Sequence, residues 1–62
     1  MIQHILGRFK TFSDACKFLN SKDLIKLLNA NEIELFGNFV FHIIHDGDSL
    51  DYTVVLELGG LH

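Results

Sequence analysis

The spacing of apolar residues along this chain changes character part-way. From Phe12 to Leu28 they recur at helical intervals; from Ile33 onward they alternate with polar residues or run together, as strands do. Phe12, Ala15, Cys16 and Leu19 follow an i, i+3, i+4, i+7 pattern, with Ser13, Asp14 and Lys17 on the wet side. Thr11 is placed to cap this helix, and Asp14 takes the reciprocal place of a capping box. Asn20-Ser21 breaks it. A second helix is predicted from Ser21, its expected cap, with Asp23 in the first turn, where a carboxylate suits the helix dipole. Leu24, Leu27 and Leu28 share one side of it, Ile25 lies at the flank, Lys22 and Lys26 point outward, and Asn29-Ala30-Asn31 ends it.

Residues 32–58 predict a three-stranded antiparallel meander with strands at 32–36, 39–45 and 51–58. Gly37-Asn38 supplies a two-residue hairpin link, and Asp46-Gly47 opens the second turn. A rival reading carries the second helix through Phe36 and stops it at Gly37. Residues 2–9 fit a helical stripe through Ile2, Ile5, Leu6 and Phe9, but Gly7 and the β-branched residues favour a short strand, which could add a fourth at the sheet edge. The expected fold class is therefore α+β. Two short helices pack on one face of a small antiparallel sheet, a three-stranded meander or, with residues 2–9 at its edge, a four-stranded one, in a single domain over residues 1–62.

Pleating then sorts the strand residues. Phe36, Phe39, Phe41, Ile43, Tyr52, Val54, Leu56 and Leu58 would share the face that receives the helices. Ile33, Leu35, Val40, His42, Ile44, Thr53 and Val55 would share the other, rimmed by Asp51 and Glu57. A slip of one residue exchanges the two sets. Two short helices can blanket only one side of three strands. Each Val, Leu or Ile left uncovered forgoes about 1.5–3 kcal/mol, against roughly 3–5 kcal/mol expected from the core of so small a domain. The second face therefore reads as a contact surface.

Composition strengthens that reading. The chain has 62 residues, 48% of them apolar and six of them Phe, with a single cysteine, so no internal disulfide can staple it. Stability must come from a dense core or from association. A lone thiol fits a reducing compartment, and no apolar run resembles a leader or reaches membrane length, so the expected setting is cytoplasmic, with no membrane partner. Charge divides sharply. Arg8, Lys10, Lys17, Lys22 and Lys26 against Asp14 and Asp23 leave +3 before Leu27; Glu32, Glu34, Asp46, Asp48, Asp51 and Glu57 make −6 after it, for a net −3. Two surfaces of opposite sign are expected.

Candidate chemistry is sparse. His42, His45 and Asp46 resemble a metal trio, but residues three apart on a strand face opposite ways. Asp46, Asp48 and Glu57 stand at the first, third and twelfth places of a calcium-loop frame, yet Asp51 replaces its turn glycine and strands flank it. Cys16 lies on an apolar helical stripe without a base beside it. No metal, no cofactor and no catalytic residue is assigned. The two helices and the hairpin after them have the outline of a winged helix-turn-helix, with Lys22, Lys26 and Asn29 on its second helix. The acidic turn and the few cations oppose a nucleic-acid partner.

The function these residues favour is a small non-enzymatic regulator or inhibitor, of the size common among phage- or plasmid-encoded proteins. It would occupy the surface of another protein, associate with itself as a homodimer, or both. Its docking residues would be Ile33, Leu35, Val40, His42, Ile44 and Val55, with Asp46, Asp48 and Asp51 steering the encounter. The alternative is a small DNA-binding transcriptional regulator of winged helix-turn-helix type.

Overall fold

The computed structural model describes residues 2–35 and 37–59. In chain order its elements are β1 (Ile2–Phe9), α1 (Phe12–Leu19), α2 (Lys22–Ala30), β2 (Phe39–His45) and β3 (Tyr52–Leu58). Three antiparallel strands form an open sheet in the order β1-β3-β2, and with two helices the class is α+β. Because β3 is antiparallel to both neighbours, β1 and β2 run parallel to each other with the last strand inserted between them.

The helices start and stop where local chemistry directs. Thr11 Oγ1 accepts a hydrogen bond from the Asp14 N–H at 3.1 Å, the predicted cap of α1. Ser21 behaves differently from expectation: its hydroxyl donates to the Phe18 carbonyl at 2.8 Å and makes no capping bond to α2. It therefore satisfies the end of the first helix rather than the start of the second. Of the predicted α1 stripe, Ala15 is buried and Cys16 and Leu19 are half-buried, but Phe12 is exposed, edge-on to Tyr52. Phe18 takes its place inside, 5.2 Å from the Phe9 ring.

Residues 32–35 are not a strand, and this corrects the predicted meander. They close α2 instead. Glu32 adopts φ 56°, the Ile33 N–H donates to the Leu28 carbonyl at 2.9 Å, and the Glu32 N–H donates to the Asn29 carbonyl at 3.1 Å. This is a Schellman cap, with Ile33 as the apolar residue that folds back on Leu28. The same cap excludes the rival long helix, since α2 stops at Ala30. Gly37-Asn38 consequently links no hairpin, while Phe36 lies outside the described residues. The N-terminal segment supplies the third strand.

β1 explains its own ambiguity. Ile5 pairs with Val55 and Gly7 with Val54, so Leu6 is an extra residue, a β-bulge. The bulge resets the alternation and puts Leu6 and Phe9, three apart, on the same side, which imitates a helical stripe. A Cβ on Gly7 would come within 3.2 Å of the Phe9 ring, so that ring lies over the glycine.

Leu24 and Leu28 of α2 form the buried cluster with Leu56 of β3; Leu6, Phe18, Leu19, Ile33, Phe41 and Leu58 pack against it. Val54 and Leu56 are fully buried. β3 is the central strand, where the meander had placed 39–45.

Candidate functional site

Register fixes the composition of the two sheet faces. Leu58, Leu56, Val54 and Tyr52 of β3 stand beside Phe39, Phe41 and Ile43 of β2, as predicted for the side with the aromatic residues, and His45 joins them opposite Tyr52. The opposite side consists of three cross-strand rows: Gln3–Glu57–Val40, Ile5–Val55–His42 and Arg8–Thr53–Ile44. We refer to these as the Leu56 face and the Val55 face.

The structure brings four of the six expected docking residues together, Val40, His42, Ile44 and Val55. Ile33 is elsewhere, half-buried against the Leu24–Leu28–Leu56 cluster, and Leu35 lies in the irregular segment before β2. Both departures follow from the helix cap, which uses Glu32 and Ile33 to turn the chain. In their place the Val55 face gains Ile5 from β1, the expected edge strand, whose pairing with residues 52–58 no local pattern specifies. Ile5, Ile44 and Val40 are 67%, 52% and 45% exposed, whereas Val55, flanked by Ile5 and His42, is buried.

Polar groups edge these apolar ones. Glu57 Oε1 accepts a hydrogen bond from Gln3 Nε2 at 3.2 Å and lies 3.5 Å from His42 Nε2. That second contact is longer than a good N–H···O bond, and the His42 nitrogen is buried with no hydrogen-bond partner. A shallow hollow of about 160 Å³ lined by Asn38, Phe39, Val40, Glu57 and Gly59 adjoins the same rim. A second open groove, about 330 Å³, lies away from this face, between Phe9 and Phe18 and the polar side chains of Asp14, Lys17, Ser21 and Asp23.

The acidic turn is tightly made. Asp46 Oδ1 accepts from the Asp48 N–H at 2.9 Å, the Leu50 N–H donates to the Asp46 carbonyl at 2.8 Å, and the Asp46 N–H donates to the Asp51 carbonyl at 2.9 Å. Leu50 occupies the left-handed region at φ 63°. The bond from the Asp48 N–H, helped by Ser49 and more remotely by Arg8, holds the Asp46 carboxyl below its ordinary value. Lys10 Nζ pairs with Asp51 Oδ1 at 3.3 Å. Exposed as it is, this pair is worth at most about 1 kcal/mol. Both contacts correct the simple picture of two oppositely charged surfaces, because β1 delivers Arg8 and Lys10 to the acidic end of the sheet.

His42 belongs to the Val55 face, while His45 stacks on Tyr52 of the other at 4.5 Å between centroids. Among the described residues no group of three or more His, Cys, Asp or Glu side chains is placed to hold a metal ion. No described helix is long and apolar enough to cross a membrane. Lys22, Lys26 and Asn29 are exposed on α2. No protein-family model matches this chain, and no curated protein or solved structure matches it.

Proposed function

We propose that this is a non-enzymatic protein-binding regulator or inhibitor that acts by laying the Val55 face against the surface of another protein, and that it also associates with itself in a reducing, cytoplasmic setting. The observation carrying this reading is the exposure of Ile5, Val40 and Ile44 around a buried Val55 on a single sheet side. Aliphatic side chains left open on one sheet side gain by being covered, and a partner surface would cover them.

Three features support the idea that both helices lie over the Leu56 face alone. The cluster they enter contains Leu56, Phe41, Leu58 and Leu6, and none of Val40, Ile44 or Val55. The Cα envelope is 16 Å in its thinnest direction, room for one helical layer on one sheet at the usual spacing of about 10 Å but not for a third layer. A crossover from β1 to its parallel neighbour β2 also has to pass over one side of the sheet.

Ile5→Glu tests the docking face directly. The substitution leaves the cluster untouched, so circular dichroism and thermal melting should match wild type. Proteins retained by immobilised wild type from extract of the source cells should be lost from the variant. Equal retention of the same proteins by a folded Ile5→Glu variant would refute docking through this face.

A further inference from the structure

The two edges of the sheet are built differently. β1 runs regularly for only four residues, Ile2 to Ile5, before the Leu6 bulge, Gly7 and Arg8, with Lys10 just beyond. Bulges, glycine and cations are the devices that keep a strand edge from recruiting another strand. β2, Phe39-Val-Phe-His-Ile-Ile-His45, has none of them. It is seven residues long, pairs without irregularity along its whole length with β3, and contains no Pro, Gly, Lys, Arg, Asp or Glu. Among the described residues, no turn or loop backbone forms a hydrogen bond to residues 39–45 on their open side. In an edge strand alternate N–H and C=O groups point away from the sheet and seek a partner.

We infer that β2 pairs antiparallel with β2 of a second copy, about a twofold axis through His42, to give a continuous six-stranded sheet. The strand is self-complementary in that register. Phe39 meets His45 of the second copy, Val40 meets Ile44, Phe41 meets Ile43, and His42 meets its own counterpart. All seven residues pair, any other register pairs fewer, and no charged Lys, Arg, Asp or Glu is set against a like charge. An axis normal to the sheet keeps like faces on the same side, so Val40–Ile44 contacts join the two Val55 faces into one surface of twice the area. Because β1 is blocked, assembly stops at two. A chain with two open edges would instead grow head to tail. This assigns the self-association within the function proposed above, and it rests on that part of the reading but not on docking through Ile5.

Cysteine cross-linking tests the register. In a Cys16→Ala background, His42→Cys places two thiols at a directly opposed pair, about 4.5–5.5 Å between Cα atoms, within the roughly 7 Å limit of a disulfide. Val40→Cys or Ile44→Cys alone would put like thiols roughly 13 Å apart along the strand. Mild oxidation should therefore cross-link the His42→Cys protein at least about tenfold faster than either. A mixture of the Val40→Cys and Ile44→Cys proteins should form the mixed dimer in preference to either homodimer, which keeps the test alive if His42→Cys folds poorly. Sedimentation equilibrium of wild type should give twice the chain mass. A wild-type monomer, or equal cross-linking at all three positions, overturns the inference. Ile5→Glu separates the two proposals: it should abolish docking and leave the His42→Cys cross-link unchanged, whereas a failed edge dimer with intact docking sinks only the present one.

Discussion

The two faces of one three-stranded sheet use nearly the same residue types and differ in how far those residues are covered. On the Leu56 face, Leu56 and Val54 are fully buried and Leu24, Leu28, Phe18 and Leu6 meet in a single cluster. On the Val55 face, Ile5, Val40 and Ile44 stand open around Val55, with Gln3, Glu57 and His42 arranged between them. Hydrophobicity alone does not distinguish an interior from an open surface. What does is whether side chains from another element reach it: Leu24 and Leu28 of α2 meet Leu56, and none of Val40, Ile44 or Val55 belongs to that cluster.

The strongest way to break this contrast is at its centre. Leu56→Ala should cost about 2–5 kcal/mol, comparable with the whole stability of so small a domain, and leave the protein largely unfolded by circular dichroism at 25 °C. Ile5→Thr, on the open face, should change stability by no more than about 0.5 kcal/mol. Similar melting of the two variants would mean that the faces are not different after all.

A smaller effect sharpens the same comparison from the buried side. Glu32 holds a left-handed conformation, and through it Ile33 reaches the cluster. Glycine adopts that conformation without the clash of a Cβ, so Glu32→Gly should stabilise the fold by about 1 kcal/mol, a rise of about 4–8 °C in Tm. A fall in Tm would show that the cap does not anchor Ile33.

The smallest expected effect lies at the end of the open face. The Asp46 carboxyl is held below its ordinary value of 3.8 chiefly by the Asp48 N–H, with further help from Ser49 and Arg8. A carboxyl whose folded value is depressed contributes stability above its unfolded value, and this is lost as pH falls through the folded one. Asp46→Asn keeps an oxygen to accept from Asp48 but removes the charge. Its Tm should fall slightly below wild type at pH 7, and the gap should narrow as pH drops below about 3.8, the unfolded value, and close beneath the depressed folded one. A gap that is the same at pH 7 and pH 2.5 would assign the effect to turn geometry alone.

Much of this architecture was legible from local pattern. Thr11, the Leu24/Leu28 stripe and the Asp46-Gly47 turn each carry a signal in neighbouring residues, and each element formed where that signal lay. The faces of residues 39–45 and 52–58 also followed from alternation, which is why Val40, His42, Ile44 and Val55 were grouped correctly. What failed was non-local or disguised. Glu32 fills a place where glycine would have announced a helix end, so EIEL read as a strand. The Leu6 bulge gives residues 2–9 a helical spacing beside their strand signal, and a bulged strand's face cannot be read from alternation, so Ile5 was not assigned to a face. Nothing local distinguishes Val54-Val55-Leu56, flanked on both sides, from Ile43-Ile44, flanked on one. Which strand is central depends on a pairing between the first residues and the last.

That pairing has a consequence for cooperativity. Ile2 sits opposite Leu58, and Phe39 sits opposite the same Leu58 from the other side, so both outer strands depend on one keystone. Among the described residues β1 and β2 have no other neighbour in the sheet, and a local opening that frees residues 52–58 removes both ladders at once.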